Sequence, residues 1–301
     1  MAFITVFSAP KSFNDPHIAT IQRNAIQSWL RLGKEVEVIL VGQETGLAEV
    51  AEELKVRHLP QVARNEQGTP LISSIFSLAR QASQSPLLVF ANGEILLLPD
   101  LPSVARSVAK QLENFLIVGQ RWDLTVKELL DFSSGWERRL KAMVETHGRM
   151  HLPAGSDYFI FPRHIFCEIP DFAIGRAGWD NWMIYHARKQ GWPVVDATPS
   201  LMIIHQDHDY SHLPNGKPHY DLEESNFNMA LAGGSACMYY ILDSDRELRH
   251  GKIRPPRLTT LRLLRRIELW LTPKDGRRSG PRWALARKFR RWRRYKTGSL
   301  V

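Results

Sequence analysis

Short apolar runs alternate with longer stretches of helical period from the first residues onward. Phe3 to Phe7 is a β-branched and aromatic run of strand length, and residues 17–32 place Ile18, Ile21, Ala25, Ile26, Trp29 and Leu32 on one helical face, with Gly33 as the stop. Glu35 to Val41 predicts a second strand, residues 47–55 a helix, residues 60–70 a loop and residues 71–82 a further helix. Residues 86–98 form the most apolar strand region, interrupted at Ala91-Asn92-Gly93-Glu94, and Phe115 to Gly119 is another strand. Residues 126–146 predict a charged surface helix, residues 180–189 a helix behind a Gly-Arg-Ala-Gly turn, and residues 193–205 a strand. Residues 206–228 are polar and rich in histidine and are expected to form a loop. This alternation predicts an α/β fold whose mostly parallel central sheet is flanked by helices.

Composition adds a division. The 301 residues carry 40 Lys plus Arg against 31 Asp plus Glu, but residues 252–301 hold 17 of the basic residues and only 2 acids. A mildly acidic body over residues 1–251 is therefore expected to carry a basic helical C-terminal tail over residues 252–301, with Pro255-Pro256 at the boundary. In the tail, Leu258, Leu261, Leu264, Ile267 and Leu271 share a helical face opposite Arg262, Arg265 and Arg266, and a second basic stretch carries Trp283, Phe289 and Trp292. An apolar fraction of 44% excludes a disordered chain, and two cysteines, Cys167 and Cys237, exclude a disulfide scaffold and suit a cytoplasmic protein. No run approaches the roughly 18 apolar residues that cross a bilayer.

Several nucleotide and hydrolase signatures are missing: no G-x-x-x-x-G-K-[ST] loop, no G-x-G-x-x-G after the first strand and no G-x-S-x-G elbow. Ser8-Ala9-Pro10 instead closes the first strand, at the edge where open α/β sheets usually take ligands. Asn92-Gly93-Glu94 ends the most apolar strand, so the Glu94 carboxylate at a buried edge demands a cation or hydrogen bonds. The competing reading is a hairpin, for which Asn-Gly is a strong signal.

The order of these parts resembles a GT-A fold glycosyltransferase over roughly residues 3–230: the first strand with Ser8-Ala9-Pro10, the acidic Gln43-Glu44 after the second, Asn92-Gly93-Glu94 after the central strand, Gly178-Trp179-Asp180-Asn181-Trp182, and a strand running into His205. The resemblance implies a nucleoside diphosphate sugar donor, more often uridine-linked, and a divalent metal, Mn²⁺ or Mg²⁺. The metal is held at the position of Glu94, although Asn92 stands where the superfamily's triplet has its first acid. It further implies His205, then His208, as the closing metal ligands, Asp180 as the base of an inverting transfer, Asp157 on the acceptor side, and Glu44, Asn65, Asn92 and Gly93 near the nucleotide. Asp180 also suits a helix cap, and Trp179 either stacks on a sugar or lies in the core. The histidines at 205, 208, 212 and 219 offer a zinc site as an alternative, without a closed structural spacing.

The tail reads as a helix pair on an anionic membrane, which suits a cytoplasmic enzyme held at the inner face with a saccharide or lipid-linked acceptor. Two other classes remain open: a catalytically silent nucleotide- or sugar-binding protein, and a nucleic-acid-associated protein acting through the tail. Nucleic acid is the weaker of the two tail partners, because it offers nothing for the apolar stripe to bury in.

Overall fold

A computed structural model describes residues 1–208, 223–273 and 279–296. In chain order the elements are β1 (Ile4–Ser8), α1 (Pro16–Trp29), β2 (Val36–Val41), α2 (Leu47–Leu54), β3 (Arg57–Leu59), α3 (Ile72–Ala82), β4 (Leu87–Ala91), β5 (Ile95–Leu96), α4 (Leu101–Ala109), β6 (Leu116–Val118), β7 (Trp122–Leu124), α5 (Trp136–His147), β8 (Arg149–Met150), β9 (Tyr158–Pro162), α6 (Trp179–Lys189), β10 (Val194–Asp196), β11 (Ile204–Gln206), α7 (Glu223–Leu231), β12 (Arg246–Arg249), β13 (Lys252–Arg254), α8 (Thr260–Leu271) and α9 (Pro281–Lys296). Asp15 starts α1 by accepting the Ile18 N–H at 2.9 Å, ahead of Pro16, whose missing N–H costs nothing at a helix start.

The main sheet runs β13-β12-β10-β6-β9-β4-β1-β2-β3. Its pairings are parallel except for β9, antiparallel to both β4 and β6, and for the edge hairpin of β12 and β13. The protein is thus a mixed α/β layer fold with a mostly parallel central sheet. β1, β4 and β9 are buried throughout, which is why they read as continuous apolar runs rather than alternating ones. One face packs Ile4, Val6, Trp29, Val89 and Ile117; the other packs Phe7, Phe76, Phe90, Phe161 and Trp179. A smaller sheet, β5-β11-β7-β8, rests on Leu98, Trp136 and Leu140.

Four expectations are corrected. The run at 86–98 is two strands in two sheets: β4 belongs to the main sheet and β5 to the small one, so Asn92-Gly93-Glu94 carries the chain between sheets and is not a hairpin. The run at 193–205 also divides, because Thr198-Pro199-Ser200 interrupts it, leaving β10 in the main sheet and β11 in the small one. The charged helix is confined to Trp136–His147, since Ser133-Ser134-Gly135 delays its start and Gly135 sits at a φ of 78°. Within the stretch expected as loop, Glu223–Leu231 is helical.

The boundary expected at 251/252 falls at the tip of the β12–β13 hairpin. Beyond it α8 turns Arg262 and Arg265 inward, although the sequence pattern sets them opposite the apolar face; of that face Leu271 is buried as well and Leu258 is exposed. Arg262 Nη2 meets Asp196 Oδ2 at 2.7 Å, and Arg265 Nη2 meets Asp243 Oδ2 at 2.9 Å. Glu268, fully buried, gathers Arg265 at 3.0 Å, Arg290 at 2.8 Å and Arg293 at 3.1 Å, joining α8 to α9. The reason lies in the body, where buried Asp196 and Asp243 need counter-ions that leucines cannot supply. Leu263, Trp270, Leu285 and Trp292 consequently face outward.

Candidate active site

The site grows from the C-terminal ends of β1 and β4. After β4 the Asn92 N–H donates to the Asp157 carbonyl at 3.0 Å, and the Ile95 N–H closes a turn onto the Asn92 carbonyl at 3.1 Å. A Cβ on Gly93 would stand 2.9 Å from Gln22 Oε1 and 3.3 Å from Pro10 Cα, so the loop after β1 lies directly on this turn. Buried Gln22 fixes that loop: its Oε1 accepts the Lys11 N–H at 2.6 Å and its amide donates to the Lys11 carbonyl at 2.9 Å. Lys11 Nζ thereby comes to 3.9 Å from Glu94 Oε2 and 3.2 Å from His208 Nε2.

The small sheet supplies the opposite wall. Antiparallel pairing sets His205 opposite Ile95, and parallel pairing sets it opposite Asp123. His205 Nε2 lies 3.8 Å from Glu94 Oε1, while Nδ1 lies 3.7 Å from Asp123 Oδ1 and 3.8 Å from Asp207 Oδ1. His205 is 8% exposed, and its Nδ1 has no hydrogen-bond partner among the described residues. Glu94, His205 and His208 each bring a ligand atom within 4.8 Å of the others, as do Asp123, His205 and Asp207. The first set combines one carboxylate and two imidazoles, a donor set that fits a divalent cation.

A ladder of charge leads away from this cluster. Asn92 Nδ2 donates to Asp157 Oδ1 at 3.0 Å; Arg121 Nη1 meets the same oxygen at 2.6 Å, and its Nε meets Asp123 Oδ1 at 2.9 Å. His151 Nδ1 lies 2.7 Å from Asp123 Oδ2. Asp180 is in the first turn of α6, where Gly178, at a φ of 112°, turns the chain into the helix. A Cβ on Gly155 would overlap Asp180 Oδ2, so the 153–156 loop lies against that carboxyl group only because it has no side chain there.

These surroundings drive the ionisable groups apart. Burial alone would raise Glu94, but Lys11, His205, His208 and Arg121 outweigh it and hold the carboxyl at about 2. Burial likewise opposes the ionisation of Asp123, yet His151 and Arg121 keep it at about 2. Asp180 goes the other way. Burial pushes it up to about 6, the Asn181 N–H pulls against that, and the nearby charge of Asp157 adds to the rise. Two carboxylates at one end of the sheet are fixed as anions, while a third is poised to take up a proton.

Of the residues singled out in the sequence, Asn92, Gly93, Glu94, Asp157, Asp180, His205 and His208 belong to this one network. Ser8 and Pro10 border it through the loop over Gly93, Ala9 lies between them, and Ser8 Oγ is buried with no hydrogen-bond partner among the described residues. Glu44 and Asn65 lie at a second cluster: Glu44 Oε1 pairs with Arg64 at 2.9 Å, and Asn65 donates to Glu224 Oε1 at 2.7 Å and accepts the Thr69 N–H at 2.8 Å. Trp179, read as stacking on a sugar or lying in the core, is 5% exposed, with its ring 5.1 Å from Phe90 and 5.5 Å from Phe159, and it anchors the start of α6. His212 and His219 lie outside the described residues. Lys11, Gln22, Arg121 and Asp123 were not legible as site residues. Lys11 follows Ser8-Ala9-Pro10 directly, and a cation in the loop facing a buried acid was the available signal.

No protein-family model matches the chain, and no curated protein matches it in sequence. Solved structures align with it at low identity. TarS 1–349 from S. aureus with UDP-GlcNAc matches at 11% identity and a TM-score of 0.49, over 95% of this chain and 79% of that one. In another TarS 1–349 structure the match is limited to 54% of this chain and 47% of that one. Glucosyl-3-phosphoglycerate synthase from Mycobacterium tuberculosis, with Mn²⁺, UDP-glucose and phosphoglyceric acid, matches at 13% identity and a TM-score of 0.47, over 86% and 88% of the two chains. The mannosyltransferase PcManGT from Pyrobaculum calidifontis, with GDP-mannose and Mn²⁺, matches at 10% and 0.46, over 75% and 69%.

Proposed function

We propose that the chain is a glycosyltransferase that moves a sugar from a nucleoside diphosphate, of the uridine class, to a hydroxyl of a saccharide or lipid-linked acceptor. One observation carries this reading. A cation-binding donor set (Glu94, His205, His208) and a carboxyl group with a raised pKa (Asp180) are joined at one end of β4 through Asn92, Asp157 and Arg121. Transfer to an alcohol needs both: positive charge where the diphosphate departs, and a base where the acceptor loses its proton.

In the inverting course, the acceptor oxygen attacks the anomeric carbon, the bond from that carbon to the diphosphate oxygen breaks, and the acceptor proton passes to Asp180. Glu94, His205 and His208 would hold a divalent cation, Mn²⁺ or Mg²⁺, and that ion would supply charge neutralisation for the leaving group. Arg121 fixes Asp157; burial, with the charge of Asp157 adding to it, keeps Asp180 basic enough to accept the proton. Asp157 borders the acceptor side, and the second cluster, with Glu44 and Asn65, borders the nucleoside. The test is transfer and hydrolysis of UDP- and GDP-sugars by the full chain with Mn²⁺. Absence of turnover, together with absence of thermal stabilisation by any nucleoside diphosphate, would sink the reading. Stoichiometric binding without turnover would instead identify a silent nucleotide-sugar-binding protein.

The tail over residues 252–301 is, in this reading, a membrane-facing element that holds a cytoplasmic enzyme to the inner leaflet. No described helix is long and apolar enough to cross a membrane. Support comes from two outward stripes of one pattern: Leu263, Arg266 and Trp270 on α8, and Leu285, Lys288 and Trp292 on α9, each an apolar residue, a cation and a tryptophan at spacings of three and four. Apolar side chains that enter the headgroup layer beside cations suit an anionic surface.

A further inference from the structure

We infer that Lys11 is the residue that binds the donor diphosphate, an ammonium on a fastened loop that lets a nucleoside diphosphate bind without a divalent cation. This rests on the nucleotide-sugar reading and assigns a charge that the reading leaves to a metal.

Two independent features put Lys11 in place. Its backbone N–H and C=O are both engaged by the amide of buried Gln22, at 2.6 and 2.9 Å. Its neighbour Pro10 lies so close to Gly93 that a methyl group there would stand 3.3 Å from the Pro10 Cα. The loop is therefore fastened over the Asn92-Gly93-Glu94 turn, and the ammonium is delivered to the mouth of the site, where the side chain is 35% exposed.

The contacts of the ammonium define its role. A lysine ammonium has three donors and no acceptor, so in the 3.2 Å contact with His208 it is His208 Nε2 that accepts. That contact occupies one of the two ring nitrogens that a metal ion could use. Glu94, 3.9 Å away, is the carboxylate a metal would need. Lys11 and a divalent cation thus compete for the same two groups. The residue that would add a second carboxylate to a metal at this turn is Asn92, a neutral amide already committed to Asp157. With one carboxylate on this turn and a resident cation beside it, the turn is biased toward the ammonium. Lysine is a compact point charge that binds phosphate well, and its flexible stem lets it leave Glu94 for an arriving diphosphate. A divalent ion then adds to donor binding rather than enabling it.

The experiment uses full-length protein, UDP as probe, and the variant Lys11→Met, which keeps the apolar stem. Isothermal titration in EDTA is expected to show UDP binding by the wild type and at least tenfold weaker binding by Lys11→Met. Mn²⁺ titrated without nucleotide and followed by electron paramagnetic resonance is expected to bind the variant more tightly than the wild type, because the competitor is gone. Circular dichroism establishes that the variant folds. UDP binding that appears only with Mn²⁺, or equal UDP affinities of the two proteins in EDTA, overturns the role of Lys11 and leaves the nucleotide-sugar reading standing. Failure of UDP and GDP to bind in EDTA and in Mn²⁺ alike overturns both.

Discussion

At the residue scale, the site is governed by which carboxylates have a cation and which do not. Glu94 and Asp123 are paired and stay ionised; Asp180 is half-buried near Asp157, with no cation among the described residues to offset it, and its pKa is pushed up to about 6. A base works only when deprotonated, so kcat is expected to rise as pH climbs through about 6 and to level off above. A flat kcat between pH 5 and 8 would remove Asp180 from the role. Asp180→Asn is expected to lower kcat by about 10²-fold or more while UDP affinity stays within about twofold, measured by steady-state kinetics and titration. The linkage sign gives a second readout. A carboxyl whose pKa is raised on folding contributes stability below its unfolded pKa and loses it as pH rises through the folded value. Asp180→Asn is therefore expected to raise Tm at pH 7.5, by at most about 3 kcal/mol in stability, and to have little effect on Tm at pH 4. Gly155→Ala offers a conservative probe, since its Cβ would displace only the end of the Asp180 side chain. The protein is expected to fold with wild-type circular dichroism and to lose at least about tenfold in kcat.

At the element scale, the central strands were legible because they are buried on both faces and so spell themselves as apolar runs. Leu87 to Ala91 and Tyr158 to Pro162 are of this kind. α1 was equally legible, from its spacing of apolar residues and its Gly33 stop. What escaped was partnership. Nothing in the spelling of residues 86–98 tells that Ala91 pairs in one sheet and Ile95 in another; only the antiparallel register of β5 with β11 does so, and that pairing spans more than a hundred residues. That register brings His205 to Glu94, and the parallel pairing of β11 with β7 brings it to Asp123, so half the site follows from long-range pairings that local pattern does not encode. Asp180 was legible through its place in a Gly-Trp-Asp turn. Lys11 was not, because a lone lysine in a loop resembles any solvated charge until Gln22 fastens it.

The α8–α9 pair shows the same limit and yields a prediction. The pattern of α8 reads as an apolar face on a membrane with Arg262 and Arg265 opposite, yet the buried acids of the body draw those two arginines inward. Glu268 is fully buried among Arg265, Arg290 and Arg293, and those arginines hold it below the usual carboxylate range despite its burial. Glu268→Gln leaves cations without an anion inside the packing and is expected to cost about 3–5 kcal/mol in urea unfolding, with α9 losing protection from hydrogen exchange first. Because the carboxyl is depressed, its stabilising contribution is complete above the usual carboxylate range and is lost as pH falls below that range. Wild-type α9 should therefore loosen in acid before the main sheet does, and coincident loss of both would contradict this.

At the scale of the whole molecule, an acidic body and a basic tail make a polar object with its reactive edge and its cationic end on one chain. If α8 and α9 lie on anionic lipid, the full chain is expected to sediment with vesicles containing phosphatidylglycerol and to remain in solution with phosphatidylcholine vesicles. Replacing both Trp270 and Trp292 by Ser should weaken the anionic association by about tenfold or more without changing UDP affinity, because neither indole touches the site. Equal sedimentation with both vesicle types would count against the electrostatic part of the attachment.

The inward arginines of α8 have one more consequence, for biosynthesis. Asp196 and Asp243 are made well before Arg262 and Arg265, so during translation the growing body presents two acids that will be interior but have no counter-ion yet. Closure of that edge of the β-layer must wait until residue 265 clears the ribosome. A chain ending at residue 256 and released from the ribosome should accordingly be more sensitive to protease around β10 and β12 than the full-length chain, and supplying a peptide of residues 257–296 should restore its resistance.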